Sequence, residues 1–230
     1  MIPISPRLLC CASMIEGDYV CDIGTDHAYL PAYLISGGTA KTVIATDVKQ
    51  GPLNSAAGTL KRFHVSDHIR LILSDGFDKV PPKHITDVVI AGMGGETIRD
   101  ILAAKSAQFL KKGVNLVLQP MTKAEILRAW LSENGYAILK ETAVRDTHVY
   151  TVMQVQYTGE CKEISEAEAF FGKLRRSDPL TKIYIAAVLE RLNTKASGLE
   201  EAGKTDEAAA VRSTMKEINA RLHPQKGETL

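Results

Sequence analysis

Apolar residues in the first 157 positions come in short β-rich runs, and amphipathic stretches separate them. Residues 19–23, 42–46, 69–73, 87–91 and 115–118 are runs of four or five positions bounded by turn formers, which predicts five strands. Between them the spacing turns helical. Ser5-Pro6 caps a helix over about 6–15, Gly37-Gly38 closes one over 29–36, and Pro52 opens one running to about 63. Further helices are predicted over about 97–110 and 123–134, the last with Ile126, Leu127, Trp130 and Leu131 on one face and Gly135 as its stop.

Alternating strands and helices predict a parallel sheet covered on both faces. The pattern then changes. Residues 137–144 and 148–157 read as two strands joined by Arg145-Asp146-Thr147, a link too short for a crossover helix, so this pair is antiparallel. The fold class is therefore α/β: a Rossmann-like sheet finished by an antiparallel hairpin, the layout of class I methyltransferases. Beyond Gly159 strand formers thin out. Pro179 opens a helix, a second carries Ala208, Val211, Met215, Ile218 and Leu222 in a stripe, and residues 198–203 form the turn between them. The division expected is a domain over 1–159 and an α-helical, coiled-coil-like hairpin over 160–230. That hairpin has two readings. It is a packing or dimerisation element, or an arm that meets a large substrate through Lys173, Arg175 and Arg176.

The turn after the first strand holds the densest chemistry, Asp22-Ile23-Gly24-Thr25-Asp26-His27-Ala28-Tyr29. A strand, a tight glycine turn and a helix start make the usual floor of a nucleotide-cofactor site. A dinucleotide fingerprint needs three glycines so that a pyrophosphate can lie on the backbone, and this turn has one. Its carboxylates would repel a pyrophosphate and suit a cationic end, which points to S-adenosyl-L-methionine. Asp47, 23 positions after Gly24 and at the end of the second strand, suits ribose hydroxyls, with Val48 beside it. Asp75-Gly76 ends the third strand, where a carboxylate can accept from an adenine amine. These residues with Asp22, Gly24, Thr25 and Ala91 form the expected cofactor set. Gly92, Met93 and Gly94 are expected to form a turn ending the fourth strand and facing the acceptor, joined there by Gln119, Asp26, His27 and Tyr29 as candidate catalytic groups.

Composition narrows the function classes. Charged residues make up 24% and the net charge is +1, so no global positive field advertises a nucleic acid. Residues 160–230 hold basic and acidic side chains in near-equal numbers. Cys10, Cys11, Cys21 and Cys161 show no C-x-x-C spacing and no metal site is expected. With no signal peptide and no apolar run of membrane-spanning length, the expectation is a cytoplasmic protein, a monomer or weak homodimer, without membrane or metal partners.

Residues 22–31 (DIGTDHAYLP), the IAGMGGE run, LQP followed by an LRAWL helix, and a hairpin ending in VYTV together resemble the bacterial tRNA adenine-22 N1-methyltransferase (TrmK) family over about residues 5–157. Two positions depart from it: Thr46-Asp47-Val48 stands where the family often has Gly-Glu-Val, and Met121 where it often has Asn. The resemblance implies a tRNA substrate, S-adenosylmethionine as methyl donor and a helical C-terminal domain. Two rivals remain on the residues alone. One is a methyltransferase of the same fold acting on another nucleic acid or a small molecule; the other is a non-catalytic nucleotide-binding module of the NAD type.

Overall fold

The computed structural model describes residues 2–111 and 113–224. Seven strands form a single sheet: β1 (Tyr19–Ile23), β2 (Thr42–Asp47), β3 (Ile69–Leu73), β4 (Asp87–Gly94), β5 (Asn115–Thr122), β6 (Tyr136–Arg145) and β7 (Val149–Tyr157). Their order is β3-β2-β1-β4-β5-β7-β6. The first five are parallel, and β7 runs antiparallel to both β5 and β6. The chain moves outward from β1 in one direction to β3 and then in the other direction to β4. The crevice at that reversal, outside the carboxyl ends of β1 and β4, is where such sheets take ligands.

Five helices accompany the parallel part: α1 (Pro6–Ala12), α2 (Tyr29–Ser36), α3 (Gln50–Arg62), α4 (Gly95–Ala103) and α5 (Ala124–Glu133). Alternation along the central strands divides the core into two layers. Cys21, Ile23, Val88, Ile90, Leu116 and Leu118 face α4 and α5, with Ile98, Leu102, Leu127 and Leu131. Val20, Val43, Ala45, Val89 and Val117 face the opposite layer, with Cys11 of α1, Leu34 of α2 and Leu60 of α3. Strands buried on both faces must be apolar at nearly every position, which is why these runs are so clear in the sequence. The amino end of β4 is tied by Asp87, whose carboxylate accepts from the amides of Glu16 and Gly17 and from the Asn115 side chain.

Beyond the sheet lie α6 (Glu166–Phe171), α7 (Pro179–Glu201) and α8 (Thr205–Leu222). Ala167, Phe171, Ile185, Val188, Leu192, Val211 and Ile218 form a third apolar cluster that includes Ala143 of β6. The link to the sheet is also polar. Arg128 of α5 and Glu141 of β6 are both buried, with Nη2 and Oε1 2.7 Å apart. Glu141 also accepts from the Thr151 hydroxyl and the Lys173 amide, while Arg128 Nη1 donates to the Ala169 carbonyl.

Several elements differ from expectation. Strand β4 runs on through Gly92, Met93 and Gly94, where a turn was expected. Its pairing with β5 shifts register on either side of Met93, with Gly92 the extra residue in β4 and Met121 the extra residue in β5; Gly92 holds a positive φ of 82° in its bulge. Strand β5 likewise continues through Pro120 to Thr122, with Pro120 opposite the irregular Met93, where a missing N–H costs no regular ladder bond. The helix expected over 97–110 is α4 followed by a 3-10 segment, Lys105–Lys111. Helix α6 was not expected; it is short and is set by a capping box in which Ser165 and Glu168 satisfy each other's amides. Helix α7 passes through Gly198, and the turn expected over 198–203 is confined to residues 202–204. The last six positions of the expected 160–230 domain, 225–230, lie outside the described residues.

Candidate active site

A cleft of about 550 Å³ opens at the reversal point of the sheet. Its floor is the β1–α2 turn. Gly24 and Thr25 both donate their amides to the Thr46 carbonyl, at 2.9 and 2.8 Å, fixing the turn to the end of β2. Gly24 has φ +77°, where any other residue is strained, and Met93 Cε packs against the space that a Cβ would take. The next corner is strained as well: Asp26 and Ala28 hold φ values of 50° and 54°. Non-glycine residues in this region cost free energy and gather at functional sites.

Three carboxylates line the cleft, from Asp22, Asp26 and Asp47. Asp22 is buried, and desolvation pushes its pKa up to about 6; a hydrogen bond from the Thr25 hydroxyl works against that shift, and the Asp47 carboxylate adds to it. Asp47 Oδ1 accepts the Lys49 amide at 2.9 Å and shapes the end of β2. Thr25 Oγ1 is buried beside the Asp22 carboxylate. Asp26 and His27 are exposed at the rim, Oδ1 and Nε2 3.7 Å apart. The His27 ring stacks on Tyr29 at 5.8 Å and 28°.

The sequence-predicted residues divide into two groups. Asp22, Gly24, Thr25, Asp26, His27, Tyr29, Asp47, Ala91, Gly92 and Met93 all line this one cleft. Asp75 and Gly76 do not; they border a separate hollow of about 340 Å³ with Thr97 and Asp100. Val48 projects into solvent and Gly94 caps α4, both away from the cleft lining. Gln119 was expected to offer its amide to an acceptor, and its geometry gives it other work. The side chain is fully buried, its Oε1 accepts from Arg7 Nη1 at 2.9 Å and from the Gly92 amide at 3.1 Å, and its Nε2 donates to the Pro120 carbonyl. Its hydrogen-bonding capacity is spent on holding the bulge that faces the cleft.

Arg7 is the residue that sequence reasoning missed. It lines the cleft from α1, supports Gln119, and pairs with Asp146 of the β6–β7 turn at 3.5 Å. Ser5, at the cap of α1, also lines the cleft, with a buried hydroxyl that has no partner. The one local signal was the Ser5-Pro6-Arg7 helix start, which is uninformative until the fold carries it to the mouth of β1 and β4.

The donor set fits S-adenosylmethionine on two observations. The left-handed turn at Gly24 sets the Thr25 hydroxyl beside the buried Asp22 carboxylate. Two adjacent carboxylates, one buried, suit a cationic ammonium and a ribose diol and disfavour a pyrophosphate. Among the described residues no group of three or more His, Cys, Asp or Glu is placed to hold a metal ion, and no helix is long and apolar enough to cross a membrane.

The TrmK family profile, described as tRNA (adenine(22)-N(1))-methyltransferase, matches residues 20–221. The tRNA (adenine(22)-N(1))-methyltransferase of Bacillus subtilis is 32% identical over 169 residues; the alignment spans 73% of this chain and 66% of that protein. A tRNA (m1A22) methyltransferase candidate of Streptococcus pneumoniae, solved with S-adenosyl-L-methionine, superposes with a TM-score of 0.80 at 28% identity, covering 96% of this chain and 100% of that one. TrmK of M. capricolum, solved with S-adenosyl-homocysteine, gives 0.78 at 26% identity, covering 95% and 97%. A match over most of the chain, with solved relatives of the same extent, settles the lineage: the chain belongs to the TrmK family of tRNA (adenine(22)-N(1))-methyltransferases.

Proposed function

We propose that this protein transfers the methyl group of S-adenosyl-L-methionine to N1 of adenine 22 in tRNA. One observation carries the reading: a cleft floor built for a cationic cofactor, Asp22 and Asp47 around Gly24, runs on into a strained Asp26–Ala28 corner and shares its cleft with the Gly92–Met93 bulge in a TrmK-family chain. The residues of the cleft support roles as follows. Asp22 meets the cofactor's ammonium, Asp47 its ribose hydroxyls, and Thr25 Oγ1 its remaining polar edge. Asp75, Gly76 and Val48 enter only if the adenine end extends beyond the cleft. Residues 1–159 act as the methyl-transfer unit and 160–230 as a helical unit that extends the surface offered to tRNA, the reading under which Lys173, Arg175 and Arg176 face substrate. A tRNA substrate supports a cytoplasmic place of work.

When bound, S-adenosylmethionine supplies a sulfonium-activated methyl group, so the protein's task is alignment more than activation of a nucleophile. Adenine N1 lies on the Watson–Crick edge, and the base must leave its stack to react. The glycine bulge at Gly92, held by Gln119 and Arg7, lets a flat ring lie against backbone. The product ring is cationic. Asp26, at the rim and accepting from the N6 amine, stabilises the developing charge.

Two measurements test this. Asp26→Ala is expected to lower kcat by about 100-fold and to leave affinity for S-adenosyl-homocysteine within about twofold; an unchanged kcat removes Asp26 from the mechanism. Calorimetry with S-adenosyl-homocysteine and NAD in parallel is expected to show binding of the first alone. Tighter binding of NAD would favour the rival nucleotide-binding reading.

A further inference from the structure

A second hollow, of about 380 Å³, opens at the same edge of the sheet, one strand along from the cleft. It lies between the end of β5, the start of α5, the residues around the β6–β7 turn and the flank of α7. Register joins the two: Met93 of the cleft is paired with Pro120, where the wall of the second hollow begins. The β6–β7 turn touches both, since Asp146 pairs with Arg7 of the cleft while His148 lines the hollow.

Its walls have a distinctive chemistry. His148 and Tyr184 present rings with the buried Tyr150 behind them, and Lys123 and Arg191 place cations beside them, Lys123 paired with Glu96 outside the lining and Arg191 with Glu125 within it. The rings are held in place. His148 and Tyr150 meet edge to face at 6.2 Å and 82°. The Tyr150 hydroxyl is 3.0 Å from that of Thr147, and the Tyr184 hydroxyl accepts from the buried Arg128 at 3.3 Å. Arg191 is steadied by Glu125 at 3.0 Å. Fixed rings at the wall complement a flat ring, and the paired Lys123 and Arg191 at the margin keep donors that can reach its phosphate.

We propose that this hollow binds a single unstacked nucleotide of the RNA substrate, next in sequence to the nucleotide that carries the reacting base. The proposal rests on the tRNA reading above. Drawing one base from its stack frees a face of its neighbour, and unpaired RNA bases are recognised by stacking on aromatic side chains and guanidinium planes. The charge balance points the same way. A chain of net charge +1 gains little from long-range attraction to phosphate, so base stacking, which needs no net charge, carries a larger share of affinity.

Ala187 lies on the exposed face of α7 and lines the hollow; Ala187→Trp fills the space and removes no hydrogen bond. Binding is measured for intact tRNA and for two tRNAs in which the nucleotide on either side of the target adenine is abasic. One abasic tRNA is expected to bind the wild-type protein about tenfold more weakly, within the range of one base–aromatic stack. Ala187→Trp should bind intact tRNA with that same tenfold loss and lose nothing more on the abasic tRNA, with Tm and S-adenosyl-homocysteine affinity unchanged. His148→Ala should show the same coupling at smaller amplitude, and it decides the matter if Ala187→Trp lowers Tm. Wild-type affinity of Ala187→Trp for intact tRNA, as a protein-binding hollow predicts, or losses that multiply independently, would overturn the proposal. Methyl transfer is followed in the same samples. Firm tRNA binding by the wild-type protein without methylated adenosine counts against the acceptor assignment, while the abasic comparison still judges the hollow.

Discussion

Asp22 shows how one residue links fold and function. Its place at the end of β1 was legible, because the strand and the glycine turn are both local features. Its burial was not, since that depends on β2 and β4 closing around it. With its pKa raised by burial from 3.8 to about 6, the native state holds the proton more tightly than the unfolded chain. This group therefore contributes stability below about pH 4 that is lost as pH rises through about 6. A cationic cofactor has the opposite preference and selects the ionised form. Affinity for S-adenosyl-homocysteine is expected to fall by up to about tenfold per pH unit below pH 6, and Asp22→Asn to bind weakly with little pH dependence. Calorimetric titrations from pH 5 to 8 check this; a flat wild-type profile would separate Asp22 from the cofactor. Arg7 marks the limit of local reading. Its partner Gln119 is 112 positions away, and only the closed sheet makes them neighbours.

At the scale of elements, most strands and helices were legible from their periodicity and the rest yielded to tertiary context. Gly92-Met93-Gly94 carries turn-forming residues and is nonetheless strand, because β5 provides a partner for a bulged edge. The Arg128–Glu141 pair was invisible in sequence, since α5 and β6 each look amphipathic without it. Burial works against the Arg128 charge, and the Glu141 carboxylate with Tyr184 more than offsets it, so the guanidinium pKa rises. The pair joins α5 and β6 to the Ala169 carbonyl and the Lys173 amide. Glu141→Gln is expected to destabilise the protein by about 3–5 kcal/mol, because it leaves a buried cation without its counter-charge. The double variant Arg128→Met/Glu141→Leu should recover most of that loss. Urea unfolding measures both, and a single variant within 1 kcal/mol of wild type would mean the pair does not fasten the helices to the sheet.

For the whole molecule, the decisive clue was the order of elements: five β-rich runs with helical links, then two strands too close together to be parallel. That pattern fixed the sheet and so the edge at which Asp22, Asp47 and Gly92 meet. The helical region was less legible, because α6 through α8 draw their shared core from residues spread between Ala167 and Ile218 and from Ala143 on the sheet. The central claim is that the cleft methylates adenine in tRNA. It is tested most directly by incubating the full chain with bulk bacterial tRNA and isotope-labelled S-adenosylmethionine, followed by nucleoside mass spectrometry. Labelled 1-methyladenosine, mapping to position 22, is the expected product. Label in another nucleoside, or none in tRNA from a protein that binds S-adenosyl-homocysteine, would contradict it.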